Sequence, residues 1–194
     1  MDFGFAFFFN NLLLGVGLAM DAFSVSLANG LNEPDMSRGK MGLVAGVFGL
    51  FQFAMPMLGW VCVSTVAQYF AIFEKCVPWI ALLLLSFIGG KMVIEGIRGQ
   101  ADGEAAPAVG LAGLLVQGIA TSIDALSVGF TIADYRGGEA ALACLLIGAV
   151  TFLICVTGLA IGKKAGTRLA GKAGVLGGVI LLFIGVEIFV RHWF

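Results

Sequence analysis

GVGLAMDAFSVSLANG, residues 15–30, returns 103 positions later as GIATSIDALSVGFTIA, residues 118–133. Five of the sixteen aligned positions are identical, and four of these, Asp21/Asp124, Ala22/Ala125, Ser24/Ser127 and Val25/Val128, cluster together. Each copy sets one carboxylate in a stretch of otherwise apolar and small residues. Inside a bilayer such a carboxylate costs several kcal/mol and is kept mainly where it works. The same costly residue therefore stands at the same place in two related segments, and the rest of the chain can be read outward from it.

Fainter echoes follow in the same order: Phe48-Gly49 with Ile147-Gly148, Gln52-Phe53 with Thr151-Phe152, and Phe87-Ile88-Gly89 with Phe183-Ile184-Gly185. About 20 apolar residues cross a bilayer core. Cutting at charged and Pro/Gly clusters predicts six such spans: Phe5–Ala28, Met41–Thr65, Val77–Ile97, Val109–Ile132, Ala140–Gly162 and Ala173–Trp193. Three spans are an odd number, so the second half enters the membrane from the opposite side. The expected fold is all-α: a polytopic membrane protein with six transmembrane helices in two inverted three-helix repeats, residues 1–100 and 105–194, forming one membrane domain.

Composition agrees. Of 194 residues 60% are hydrophobic and 12% charged, about half the charged share of a soluble domain. Mean hydropathy is +1.04, and the 29 glycines suit closely packed helices. A net charge of −1 without a basic patch argues against nucleic-acid binding. Cys62, Cys76, Cys144 and Cys155 form no CxxC pair and His192 is the one histidine, which argues against zinc, haem and dithiol chemistry. Residues 158–164, GLAIGKK, have one residue too few for a phosphate loop and lack its Ser/Thr, so no ATP-driven engine is read. Met1 to Phe9 carry no Lys or Arg, so the first apolar segment is expected to stay in the mature protein. Connectors one, three and five hold seven Lys/Arg against three on the other side, which predicts both termini outside the cytoplasm.

At 3.6 residues per turn the face carrying Asp21 also carries Gly17, Ser24 and Ala28, and the face of Asp124 carries Ala120, Ser127 and Thr131. Thr121 and Ser122 lie beside the second carboxylate. Oxygen donors without imidazole or thiolate suit hard divalent cations such as Mg²⁺, Ca²⁺ or Mn²⁺. On two continuous antiparallel helices the two Asp residues fall roughly 12 Å apart along the membrane normal, too far to share an ion unless a helix is offset or broken near the motif. The bland alternative is a pair of protonated or hydrogen-bonded packing residues. Gln52 and Gln117 could ligate a cation or tie helices together. Lys91 with Glu95, and Glu187 with Arg191, stand at i, i+4 and read as ion pairs near span ends or as gates. Gly42, Gly46 and Gly49, and Gly158, Gly162 and Gly166, read as helix-contact stripes. Such stripes serve packing within one chain or between copies, so a homo-oligomer stays open. Pro56 is expected to kink the second span.

MDAFSVSLANG in the first half and ATSIDALSVGF in the second resemble the twin Asp-Ala signatures of bacterial MntP-type manganese exporters, within the broader group of LysE-type exporters. FGLFQFAMPMLGW in span two and IGGKMVIEG in span three extend the resemblance over the whole chain. It implies efflux of Mn²⁺ across the bacterial inner membrane, protecting the cell from excess metal, with Mn²⁺ as cargo and no resident cofactor. It also implies Asp21 and Asp124 as the key acids, with Ser24, Thr121 and Ser122 as supporting oxygens. Ser127 and Gln52 complete the expected path. The connector before span four has only Asp102 and Glu104 as acids, which puts a regulatory cation site there in doubt. The expected mechanism is exchange of metal for protons at the two carboxylates. The rivals are export of another divalent cation, or of a small amino acid or organic cation, on the same scaffold. An intramembrane aspartyl protease is disfavoured because neither Asp sits in a Gly-x-Gly-Asp motif.

Overall fold

The computed structural model describes residues 4–65, 110–169 and 173–193, with isolated positions between 79 and 97. Every element in that set is helical: α1 Phe5–Asn32, α2 Arg38–Thr65, α3 Leu111–Thr121, α4 Ile123–Thr131, α5 Gly137–Leu169 and α6 Ala173–Trp193.

Local chemistry sets the ends. The backbone N–H of Glu33 closes α1 on the Asn29 carbonyl at 3.0 Å, and Pro34 cannot continue the helix. Ser37 opens α2 by accepting the Lys40 backbone N–H on its hydroxyl at 3.2 Å, the usual N-cap arrangement. Before α5, the backbone N–H of Arg136 donates to Glu139 Oε2 at 3.1 Å, one arm of a capping box.

Three helices are long and apolar enough to cross a membrane among the described residues, with spans Phe7–Asn32, Arg38–Cys62 and Gly137–Gly166. The fourth expected span differs from a single straight helix. It is the pair α3 and α4, bent by 43° across Ser122. Thr121 Oγ1 donates to the Gln117 carbonyl at 2.9 Å, and Ser122 Oγ to the Gly118 carbonyl at 2.7 Å. Hydroxyls that bond back onto the preceding turn bend helices, and two in succession replace the backbone bonds lost at the break. The fifth span is longer than expected, because α5 carries Lys163, Lys164 and Arg168 within the helix rather than in a connector. Val77–Ile97 lies largely outside the described residues, although its described positions are helical. The 98–109 connector lies outside them.

Burial is distributed as lipid demands. Leu50, Leu145, Leu153 and Phe183 are each more than half exposed, while Asn11, Asn29, Gln52, Gln117, Thr121 and Thr151 are buried. Apolar side chains face outward and polar ones pair inside, the pattern of a chain whose solvent is hydrocarbon.

The most extensive packing is of α1 on α5, followed by α2 on α5 and α2 on α4. Gly15 meets Ile147 and Val150, and Gly30 meets Leu159 and Gly162, so α1 and α5 run parallel. Phe51 covers Gly118, Gly59 lies on Leu126 and Gly129, and Trp60 Nε1 donates to the Tyr135 carbonyl at 3.1 Å, so α2 runs parallel to α3 and α4. The five-residue turn 33–37 sets α1 antiparallel to α2. Where α2 crosses α5, Gly49 and Gly148 touch back to back: a Cβ on Gly49 would lie 2.9 Å from the Gly148 carbonyl oxygen, and one on Gly148 2.7 Å from that of Gly49. Of the two expected glycine stripes, Gly158, Gly162 and Gly166 all contact α1 or its following turn. In the other stripe only Gly49 meets another helix, and that helix is α5. Gly42 and Gly46 have open space around them, because α5 crosses α2 beyond that end.

A Cβ on Gly129 would fall 2.5 Å from both the Pro56 carbonyl oxygen and the Trp60 nitrogen. Gly129→Val is therefore expected to lower stability by about 1–3 kcal/mol. Gly42→Ala, in open space, is expected to be neutral or stabilising by up to about 1 kcal/mol. Thermal unfolding of the two variants in one detergent checks the pair.

Candidate cation path

Asp21 is half-buried in the middle of α1, between the buried Ala19, Ala22 and Val25. Ser24 Oγ, one turn on, donates to the Met20 carbonyl at 3.0 Å. Asp124 stands in the first turn of α4, half-buried, with Oδ1 accepting the Ala125 backbone N–H at 2.9 Å. The bend places Asp124 at a helix N-terminus, where unsatisfied N–H groups favour negative charge. Asp21 lies inside a continuous helix and has no such end beside it. At the positions equivalent to Thr121 and Ser122 the first repeat has Leu18 and Ala19, which lack hydroxyls to sustain a break.

Gln52 joins the two motifs. It is fully buried on α2, and its Nε2 donates to the Leu18 carbonyl at 3.2 Å and to the Thr121 carbonyl at 3.0 Å. Leu18 and Thr121 are equivalent residues of the two repeats, each three positions before its Asp. Two backbone carbonyls can only accept, which fixes the amide with nitrogen toward them and oxygen away. That oxygen, Oε1, is buried and has no hydrogen-bond partner. Pro56, four residues further along α2, lacks the N–H that would bond the Gln52 main-chain carbonyl. Gln52 thus supplies both a buried side-chain oxygen and a main-chain oxygen deprived of its helical donor.

The direction of the helices decides where the acids lie. Three residues on from each bonded carbonyl is about 4.5 Å along its helix, and α1 runs opposite to α3 and α4, so Asp21 and Asp124 flank Gln52 from opposite sides, roughly 9 Å apart along the helix axes. Ser127 and Thr131, beyond Asp124, are exposed. Thr121 and Ser122 are buried beside the break, with their hydroxyl hydrogens engaged by carbonyls. Among the described residues no group of three or more His, Cys, Asp or Glu side chains gathers to hold a metal. Lys91 is exposed, and Glu95, the other half of its expected pair, lies outside the described residues. Glu187 and Arg191 lie on α6, with their side chains outside the described residues.

A cavity of about 410 Å³ opens beside the 33–37 turn, lined by Asn29, Glu33, Met36 and Lys40 with apolar residues of α2 and α3. At its rim Lys40 Nζ donates to Glu33 Oε2 at 2.6 Å. From α5, Lys163 Nζ donates to the Met36 carbonyl. Below, Asn29 and Gln117 exchange hydrogen bonds, Asn29 Nδ2 to Gln117 Oε1 at 2.7 Å and Gln117 Nε2 to Asn29 Oδ1 at 3.3 Å. Sequence reasoning marked Gln117 and passed over Asn29. The available signal was that Asn29 is one of few amides inside an apolar span. Asn29→Leu strands the buried Gln117 amide, so a loss of about 1–3 kcal/mol is expected, with the Asn29→Leu/Gln117→Leu double variant recovering part of it. A double-mutant cycle in unfolding free energy checks this.

Comparison with known proteins follows the same line. A family model described as "Putative manganese efflux pump" (Mntp) matches residues 35–189. The chain is 40% identical over 194 aligned residues to "Putative manganese efflux pump MntP 2" of Clostridium botulinum strain Hall, covering 93% of each chain. It is 40% identical over 185 residues to the MntP protein of Methanosarcina mazei, covering 95% of this chain and 97% of that one. "Putative manganese efflux pump MntP" of Clostridium perfringens strain 13 is 38% identical over 202 residues, with 93% of each chain covered. No solved structure matches the chain. With apolar helices of membrane-spanning length and a family match over most of its residues, this multi-pass membrane protein belongs to the MntP family.

Proposed function

We propose that the chain exports Mn²⁺ across the bacterial inner membrane, and that Asp21 and Asp124 are its cation-binding acids. The observation that carries this reading is the Gln52 amide bonded to the carbonyls of Leu18 and Thr121, which draws the two Asp motifs to one buried place. The relatives, described as manganese efflux pumps, supply the metal, and oxygen donors suit a hard divalent ion. Ser24, Thr121, Ser122 and Ser127 contribute further oxygens along the path. Glu33 with Lys40 stands at its mouth. Mn²⁺ is cargo here, and the protein performs transport rather than covalent chemistry.

The fold belongs to this proposal as six spans in two inverted repeats. Two reciprocal contacts support it. Gly49 and Gly148, equivalent by position, touch each other. Gly59 lies on the Leu126 carbonyl as Gly158 lies on that of Phe23, and both partners of the one contact are the repeat equivalents of the other's. Equivalent segments that run in opposite directions and meet reciprocally are what a two-fold axis in the membrane plane produces. Alternating access is then a rocking of one half against the other about the α2–α5 crossing. Both termini lie outside the cytoplasm in this arrangement, by the distribution of Lys and Arg.

Coupling to protons follows from the acids themselves, because a carboxylate must be deprotonated to hold a cation, so protonation on the release side drives metal off. Cells lacking native manganese export and expressing the chain are expected to contain less manganese and to grow in excess Mn²⁺, whereas Asp21→Asn and Asp124→Asn at equal membrane levels fail on both counts. Unchanged manganese with the wild-type chain sinks the assignment and directs the same variants to other divalent cations and amino acids. In proteoliposomes Mn²⁺ uptake is expected to rise with acid on the release side, and a rate independent of pH removes the proton exchange alone.

A further inference from the structure

We infer that Gln52 is an oxygen ligand shared by two carboxylate half-sites, and that its amide hands a divalent cation from one Asp to the other. The inference rests on the transport reading above and deepens it. Its observation is separate: a fully buried amide oxygen without a hydrogen-bond partner, on a side chain bonded to the carbonyl three residues before each Asp.

Buried acceptors are rarely left unsatisfied, and each such oxygen calls for an explanation. Here the orientation cannot be exchanged for a cheaper one. Turning the amide over would face Oε1 toward the Leu18 and Thr121 carbonyls, setting three acceptors against one another. The Gln52 oxygen is therefore held away from those carbonyls by two hydrogen bonds, preorganised to receive a cation or a donor. The main-chain carbonyl of the same residue loses its helical donor to Pro56. Thr151, the repeat equivalent of Gln52, is buried and spends its hydroxyl on the Ile147 carbonyl at 2.9 Å.

The spacing of the acids gives the oxygen its task. The backbones of the two acids stand roughly 9 Å apart along the helix axes, one on each side of Gln52, so an ion held at 2.3–2.6 Å by one carboxylate lies off-centre from the other. A neutral oxygen midway lets the ion exchange one carboxylate for the other while keeping a ligand. Neutrality matters, since a third carboxylate would hold a divalent cation too firmly to release it. Two half-sites on opposite sides of the crossing, one at a helix N-terminus and one within a continuous helix, also differ in their hold on the ion. The cation moves by ligand exchange alone, with no bond to carbon made or broken.

The test separates a ligand from a helix tie by changing the donor atom. In proteoliposomes containing the full chain, Mn²⁺ and Cd²⁺ transport are measured for wild type, Gln52→Met and Gln52→Leu, with Asp21→Asn and Asp124→Asn alongside. The soft thioether of Met favours Cd²⁺ over Mn²⁺. Gln52→Met is expected to lose Mn²⁺ transport and to raise the Cd²⁺:Mn²⁺ ratio by about tenfold, while Gln52→Leu loses both metals without a change of ratio. An unchanged ratio in Gln52→Met overturns the inference and leaves Gln52 as a tie between helices. Wild-type activity that survives in both Asp variants overturns the carboxylate reading instead. If the Gln52 variants fail to fold, pulsed electron-nuclear double resonance on the wild-type chain decides: glutamine labelled with ¹³C at Cδ is expected to show a ligand-strength coupling to bound Mn²⁺ that the Asn29→Leu/Gln117→Leu chain retains. A wild-type chain that binds Mn²⁺ without that coupling overturns the inference.

Discussion

Close approach of one backbone to another is the constraint on which the rest depends. In hydrocarbon, apolar side chains gain nothing by leaving lipid for protein, so helices associate through packing and through polar groups that lipid cannot satisfy. The glycines at the α1–α5, α2–α5 and α2–α4 crossings provide that approach, carbonyl against Cα. Only at such separations can a side chain as short as glutamine bridge from α2 to main-chain carbonyls on two other helices at once. The path thus inherits its dimensions from residues that have no side chain at all.

Much of this was legible in the sequence, for identifiable reasons. The paired Asp motifs announced themselves because a charge in an apolar run is rare and a repeated one rarer. The first two spans are legible as apolar runs, but their ends are not: α1 runs on to Asn32 and α2 begins at Arg38, beyond the expected Ala28 and Met41, where Pro34 and Ser37 set the limits. What stayed hidden depended on partners far along the chain. Gln52 could equally have been a ligand or a tie until its nitrogen was seen on Leu18 and Thr121, residues 34 and 69 positions away. Gly42 and Gly46 carry the same spacing as Gly49, and only the angle of α5 decides that they face open space. Thr121 and Ser122 are expected as supporting oxygens from their place beside Asp124 and from the resemblance. Their hydrogens are also seen to stabilise a bend, because a hydroxyl in a helix can always find the carbonyl one turn back.

Polar residues within the chain divide into two kinds of work. Asn29 and Gln117 satisfy one another in a closed exchange, which leaves little capacity for a third partner. Glu33 with Lys40, and Met36 with Lys163, anchor the turn that joins α1 to α2 from two different helices. Gln52 differs from both groups: its donors are spent and its acceptor is not. Hydrogen-bond satisfaction therefore distinguishes scaffold from path more sharply than polarity does, since all of these residues are equally polar on paper.

The bend at Ser122, present in one half and absent from the other, has a mechanical side. At 1.5 Å per residue, α1 is a rod of about 42 Å, whereas the corresponding stretch of the second half is two rods of about 16 and 14 Å joined at a knee. A rod longer than the hydrocarbon slab answers a change in membrane thickness by tilting as a whole, and α1 carries α5 with it through their shared seam. The jointed half answers by flexing, at no cost in hydrogen bonds that the two hydroxyls do not already cover. Lipid thickness thus acts unequally on the two halves, and acyl-chain length becomes a dial that turns the knee while leaving the rod straight.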